Sequence, residues 1–356
     1  MGKYFAAIVI CLFIIYPAKA GSNLTFYGMS DASAGAAVDS NSFIVADDEE
    51  NILKVYKIQE GSKPLYGLDI SQFLEITPEF PEADIEAETK VGNRVYWVTS
   101  HGRNKDGKLR PSRYRFFATE LSADANRIKP VGKPYKDLAF DLIETKSDVQ
   151  EDLIEATGFG FSLKGVDRAK LAPKDEGLNI EGLCASADGK TLYIGLRNPL
   201  HKKGKTELAI VIPLKNPSLV IEKGEKAIFG KPLLWDLNGL GIRDMTYSPF
   251  HKAFFIIAGA SKEKGGFALY RWTGQENKQP QLVRKIKEDG VKFTPEAIIP
   301  FEKSDKLLLL SDDGTLEINV SSPEECKEAL TPDGKCLNKF LTNPDKKSFR
   351  AIWIKP

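Results

Sequence analysis

The stretch IEGLCASADGKTLYIGLRNPLHKKGKTELAIVIPL, residues 180–214, decides how the whole chain is read. It divides into three apolar, β-rich runs, Ile180 to Ser186, Thr191 to Leu196 and Glu207 to Leu214, the first two joined by the turn formers Asp188-Gly189. Glu181 stands at the head of the first run. Self-similarity at a period of tens of residues marks a repeat architecture, so the rest of the chain is searched for the same layout.

Four weaker copies share it. Asp31 heads DASAGAAVD, followed by Phe43 to Ala46 and Asn51 to Ile58. Asp84 and Glu86 lie in ADIEAET, followed by Arg94 to Thr99 and Tyr114 to Leu121. Asp244 lies in IRDMTYS, before Ala253 to Ala258 and Phe267 to Trp272, and Glu296 in PEAIIPF, before Lys306 to Leu310 and Thr315 to Val320. Leu65 to Ile70, Leu233 to Leu237 and Gln281 to Ile286 supply a fourth apolar segment to some copies, and four strands fill a propeller blade.

The sequence therefore predicts an all-β chain, a β-propeller with five visible four-stranded blades and six as the alternative count. Asp31, Glu86, Glu181, Asp244 and Glu296 stand 55, 95, 63 and 52 residues apart. The long interval holds SDVQEDLIEA, which reads as a helix capped by Ser147 or Asp148 within a small helical insertion around 145–175. Closure of the ring falls to Ser348 to Ile354 or to Asn23 to Phe26. The rival architecture, a pair of sandwiches, gives no reason for an acid to recur at the head of each unit.

Residues 1–20 read as a signal peptide: Lys3, an apolar run from Phe5 to Tyr16, then an A-x-A site at Ala18-Lys19-Ala20. A run of about a dozen residues is short of the roughly 20 needed to span a bilayer. Residues 21–356 are then one exported propeller domain, periplasmic or extracellular, without stable membrane insertion. The full chain holds 50 Lys and Arg against 49 Asp and Glu, and losing Lys3 and Lys19 leaves 48 against 49. That balance excludes a nucleic-acid binder driven by bulk positive charge. With only His101, His201 and His251, zinc catalysis through histidines has little material. Cys326 and Cys336 flank a Pro332-Asp333-Gly334 turn and are placed to close a small loop, while Cys184 reads as a buried thiol.

In a propeller, the head of each innermost strand and the loop between the second and third strands share one face. Glu86, Glu181, Asp244 and Glu296, with Asp31, are expected to ring the channel mouth there, beneath Asp47-Asp48-Glu49, His101-Gly102-Arg103-Asn104, Arg197-Asn198, Ser261-Lys262 and Asp312-Asp313. Crowded carboxylates raise one another's pKa unless a cation joins them, and calcium tolerates oxygen ligands from several blades. Calcium held by Glu86, Glu181, Asp244 and Glu296 is thus one expectation. The other is that Arg103, Arg197 and Arg243 pair with these acids and brace the blades without metal.

The run TSHGRNKDGKLRPSRYRFF, residues 99–117, carries His101 and six Lys or Arg residues against Asp106 alone. Its forks suit phosphate, sulfate or carboxylate, or else merely keep a hairpin tip soluble. Arg103, Asn104, Arg197, Asn198 and Arg243 are the candidate ligand-binding residues, and His101 the candidate acid or base. Gly189-Lys190-Thr191 lacks the spacing of a phosphate loop, and the chain contains no GxSxG elbow and no DxDxDG calcium loop.

SDASAGAAVDSNSFIVADDEENILKVY, EADIEAET, RVYWVTSHGRNKDGKLRPSRYRFFATEL, NIEGLCASADGKTLYIGLRNPL, GIRDMTYSP and PEAI together resemble the domain of unknown function 3616 family across nearly all of residues 21–356. The resemblance implies a propeller-like fold and no particular reaction. The acidic strand heads are more loosely similar to those of phytase-like esterase propellers and calcium-binding lactonase propellers. Three functions stand against one another: a module binding an anionic small molecule or peptide, with calcium, at the mouth; a calcium-assisted hydrolase of phosphate esters or lactones; and a scaffold whose charges neutralise each other.

Overall fold

The structure is a computed structural model that describes residues 23–122, 127–261, 265–286 and 292–356. The expected signal peptide and Lys262 lie outside the described residues.

Short apolar strands separated by tight turns build five antiparallel four-stranded sheets, arranged as a β-propeller. From the axis outward, blade 1 is Ala32–Ala37, Ser42–Asp47, Ile52–Lys57 and Tyr66–Asp69. Blade 2 is Ile85–Val91, Arg94–Thr99, Phe116–Leu121 and Ile128–Tyr135. Blade 3 is Asn179–Ala185, Leu192–Asn198, Thr206–Leu214 and Leu233–Trp235, with the short strand His201–Lys203 folded onto the third. Blade 4 is Gly241–Ser248, Ala253–Gly259, Phe267–Trp272 and Gln281–Ile286. Blade 5 joins Pro295–Pro300 and Leu307–Ser311 to Ser348–Ile354, and its outer strand is Leu24–Tyr27 from the other end of the chain.

Both segments offered for ring closure are used, side by side. Thr315–Val320 is not a blade strand: Glu317–Asn319 pairs instead with Lys335–Leu337 in a separate hairpin, stapled by the Cys326–Cys336 disulfide. The reason is register, since Leu307–Leu310 is already paired with Ala351–Ile354. The insertion between blades 2 and 3 carries helices Leu138–Glu144, Gln150–Thr157 and Gly165–Ala169. Neither Ser147 nor Asp148 caps the middle one; Val149 stands at the cap position, and the Gln150 amide donates to the Ser147 carbonyl at 3.2 Å.

The core has five apolar layers, one between each pair of neighbouring blades, so most blade strands are buried on both faces. Where blade 3 packs on blade 4, a pair of facing glycines leaves no room for side chains. A Cβ on Gly182 would lie 3.2 Å from the Gly195 Cα and 2.8 Å from the Ile242 side chain. At the closing seam Phe26 is fully buried, stacked on Phe349 at 5.1 Å and edge-on to Phe43 and Tyr56. Among the described residues no helix is long and apolar enough to cross a membrane.

Phe26→Ala opens a cavity between the two ends of the chain and is expected to cost about 3–5 kcal/mol in urea unfolding. Tyr27→Ala, next along the same strand but 36% exposed, should change stability by no more than about 0.5 kcal/mol.

Candidate functional site

Each innermost strand carries one extra residue near its head. The ladder skips Ser33, Glu86, Glu181, Arg243 and Glu296, the same position in blades 1 to 5. A bulge of this kind re-aims the unpaired residue. The ring at the axis is therefore serine, acid, acid, base, acid.

The base joins two of the acids. Arg243 lies 2.9 Å from Glu181 and bonds Glu296 on its other side, and Arg197 reaches Glu181 at 2.9 Å. All four side chains are buried. The Asn179 amide adds a 2.6 Å hydrogen bond to Glu181. Blades 3, 4 and 5 are thus tied together by charge through Arg197 and Arg243, two of the three arginines expected to pair with these acids. Asp244 is one residue off the ring: it sits in register opposite Ile257 and accepts the backbone N–H groups of Met245 and Ile298 at 2.7 Å each. Burial, then the nearby Glu88, pushes its carboxyl well above the usual range.

Glu86 is different. Among the described residues its side chain makes no hydrogen bond or ion pair, and it is half-buried. Burial, then Asp84 and Glu181, raises its pKa well above the ordinary value, with Arg243 and Arg197 only opposing. Its neighbours at the mouth are more acids. Carboxylate oxygens of Asp48, Asp84 and Glu86 lie within 4.8 Å of one another, and so do those of Asp31, Asp48 and Glu49. Asp48 belongs to both groups. Its Oδ1 is closed to solvent and has no hydrogen-bond partner among the described residues.

The surrounding bonds hold these acids in place. Asp31, 4% exposed, accepts from the Ser30 hydroxyl at 2.5 Å, and burial followed by Asp47 and Asp312 raises it to about 9. Gly314 packs on its carboxylate, where a Cβ would fall 1.6 Å from Oδ1. Asp47 braces the loop by accepting the Glu49 and Glu50 amides at 3.0 and 3.1 Å. Among the described residues the bases that pair here are at the rim: Lys339 with Glu49 at 2.6 Å, and Arg113 with Asp84 at 3.0 Å and with Glu82. Asp31, Asp48 and Glu86 have no ion-pair partner among the described residues. The donor set is all oxygen, with a sealed and unpartnered acceptor at its centre, which fits a hard cation such as calcium.

Arg103 and Arg115 of the basic loop are spent on backbone carbonyls. Arg103 donates to the Thr157 carbonyl at 2.9–3.0 Å and to Gly158 and Gly107, capping helix Gln150–Thr157. Arg115 donates to the Leu74, Pro111 and Tyr114 carbonyls. Asn104 accepts the Asp106 and Lys108 amides within its own turn, and Asn198 donates to Pro173 and Ser261 carbonyls. Arg103, Asn104 and Asn198 thus have structural partners already. His101 is 1% exposed, its Nδ1 donating to the Thr99 carbonyl at 2.8 Å and its ring edge-on to Tyr114. Burial, with Arg115 adding, lowers its pKa to about 4. Lys339, which no repeat marks, arrives at the mouth on the excursion that carries the disulfide.

Two consequences are measurable. Arg243→Met strands Glu296 in a buried site and leaves Glu181 to Arg197 alone, at an expected cost of about 3–5 kcal/mol, with part of the loss recovered when Glu296→Gln accompanies it; equal stability of the single and double variants would contradict the chain of pairs. For His101 the folded pKa, about 4, lies below the ordinary 6.5. The unfolded chain therefore takes the proton first. The contribution of this group is full above pH 6.5 and declines as pH falls toward about 4, by at most about 3 kcal/mol. In urea unfolding from pH 7 to 4.5, His101→Gln should flatten that decline; an unchanged slope would place the histidine outside the core.

The fold and site invite comparison with known proteins. No curated protein matches the chain in sequence. Among solved structures, hydrazine synthase from Kuenenia stuttgartiensis is 11% identical at a TM-score of 0.37, covering 80% of this chain. This chain spans only 65% of that one. Glutaminyl cyclase from Myxococcus xanthus is 9% identical at 0.42, with 82% and 90% of the two chains covered, and a streptogramin B lyase 10% identical at 0.37, with 94% and 98%. Likeness at this level bears on neither site nor activity. Residues 134–308 match the model of the family described as "Protein of unknown function (DUF3616)". That span contains the NIEGLCASADGKTLYIGLRNPL, GIRDMTYSP and PEAI motifs and leaves out residues 30–121. Sequence motifs and family model therefore meet on DUF3616, over blades 3 and 4 and the parts of blades 2 and 5 that flank them.

Proposed function

We propose that this protein is an exported β-propeller that binds calcium at its channel mouth and uses the bound ion to hold an anionic ligand. The observation that carries the reading is Asp48, whose buried, unpartnered Oδ1 belongs to a side chain shared by two carboxylate triads. Asp31, Asp48, Glu49, Asp84 and Glu86 are the proposed ligands. Of the residues expected from sequence only Glu86 stays in the set, because Glu181 and Glu296 are engaged by Arg197 and Arg243 and Asp244 by backbone amides.

A cluster of carboxylates this poorly compensated either takes up protons or takes up a cation, and a divalent ion relieves the repulsion among all of them at once. Loops from blades 1 and 2 supply the ligands, so the geometry is irregular, which calcium accepts more readily than magnesium. The Cys326–Cys336 disulfide favours export, since such bonds persist in oxidising compartments, where calcium is also abundant. The hydrolase reading needs a proton carrier at the mouth. His101, sealed and held neutral, is poorly placed for that role.

Calorimetry on chelator-treated protein is expected to show calcium binding with Kd about 10⁻⁵–10⁻³ M, in the range of exported modules and weaker sensors, together with a rise in melting temperature. Asp48→Asn should abolish both. The same variant should melt higher than wild type in chelator, because it removes one of several crowded like charges. Wild-type protein giving neither heat nor thermal shift with calcium would overturn the proposal, as would Asp48→Asn binding calcium undiminished.

A further inference from the structure

The mouth contains a second device, which rests on the calcium reading above. Glu49 has two claimants. Its carboxylate belongs to the triad with Asp31 and Asp48, and its Oε1 is held by the Lys339 ammonium at 2.6 Å. Asp84 is shared in the same way between the second triad and Arg113, at 3.0 Å. The two bases differ in what else holds them. Arg113 is also bonded to Glu82 and to the Arg103 carbonyl, so it keeps its place whatever happens to Asp84. The Lys339 side chain has Glu49 as its only hydrogen-bonding partner among the described residues, its ammonium otherwise lying 5.4 Å from the Phe340 ring, and it is 25% exposed, so no second hydrogen bond fixes it once that partner is taken. Its backbone is fixed: the Lys339 N–H donates to the Gly314 carbonyl, and Asn338 beside it is fully buried and bonded to Asp313 and Ser348.

We propose that calcium converts the mouth from an acidic site into an oxyanion site by withdrawing Glu49 from Lys339, and that Lys339 then binds a phosphate or phosphonate group seated on the ion. Binding is ordered, cation first. Before calcium arrives, Asp31, Asp48 and Glu86 offer an anion no positive charge and Glu49 occupies the lysine. Afterwards the ion presents open coordination positions, and Lys339 stands at the rim without its carboxylate partner. The ligand class is a compact dianion. A monoanionic carboxylate matches one positive group and binds more weakly, while a dianion bridges ion and lysine together. Lys339 also competes with calcium for Glu49, so removing the lysine affects the two ligands in opposite directions.

The experiment uses the full mature chain and two probes, calcium and methylphosphonate, followed by calorimetry. In saturating calcium methylphosphonate is expected to bind at least about tenfold more tightly than in chelator, and more tightly than acetate. Lys339→Ala should weaken methylphosphonate by about tenfold, the worth of one charge-assisted bond, while calcium binds as tightly as before or tighter. Lys339→Arg should restore most of the methylphosphonate affinity, and circular dichroism verifies that both variants fold. A purely structural lysine would weaken both ligands on removal, and that result overturns the inference. So does equal methylphosphonate binding with and without calcium, or calcium binding with no methylphosphonate binding at all. The last leaves the calcium reading intact, whereas failure of calcium itself removes both.

Discussion

Five innermost strands converge on one axis, and at the head of each a bulge turns a single side chain into the little space they leave. That constraint governs the rest. Ser33, Glu86, Glu181, Arg243 and Glu296 cannot be chosen independently, because the bulges gather them at equivalent positions of neighbouring innermost strands and most of them are buried. Arg243 resolves the charge of two acids and Arg197 helps with one of them. Glu86 is left over. The surplus negative charge on one side of the ring runs on into Asp48 and Asp31, so the site follows from an imbalance in the axial ring.

The two halves of the mouth have different fates for the same reason. On the side of blades 3 to 5 the acids meet guanidinium groups from neighbouring strands and become part of the frame that holds the blades in register. On the side of blades 1 and 2 the nearby bases are tied up at the rim, Lys54 and Lys347 on Glu50, Lys339 on Glu49, and Arg113 on Glu82 and Asp84. Buried ion pairs contribute little net stability yet are costly to break. Here they compensate one half of the ring, while Glu86, the carboxyl of the other half, has no ion-pair partner among the described residues.

Much of the fold is legible from residues alone. IEGLCASADGKTLYIGLRNPL shows its strands because both faces are buried and the turn is marked by Asp188-Gly189, and its weaker copies follow the same logic. The site is less legible, for a specific reason. A bulge adds one residue, and with a side-chain period of two, one residue decides between channel and flank. Asp244 is therefore the acid that the pattern suggests, whereas Arg243, one residue before it, is on the ring; in blade 1 the ring residue is Ser33, two residues past Asp31. Likewise the charge of residues 99–117 is plain, but the carbonyls of Thr157, Gly158 and Leu74 that receive Arg103 and Arg115 come from segments far along the chain. Lys339 belongs to no repeat at all, and only the paired hairpin before it brings it to the mouth.

The account turns on one place, the space between Asp31, Asp48 and Glu86. A crystal grown in calcium, with anomalous scattering used to locate the ion, tests it most directly. The account predicts a peak within about 2.3–2.6 Å of an Asp48 oxygen, with further ligands from Asp31 and Glu49 or from Asp84 and Glu86. Clear density for the mouth with no peak there, or a peak held instead by Glu181, Asp244 and Glu296, would contradict it.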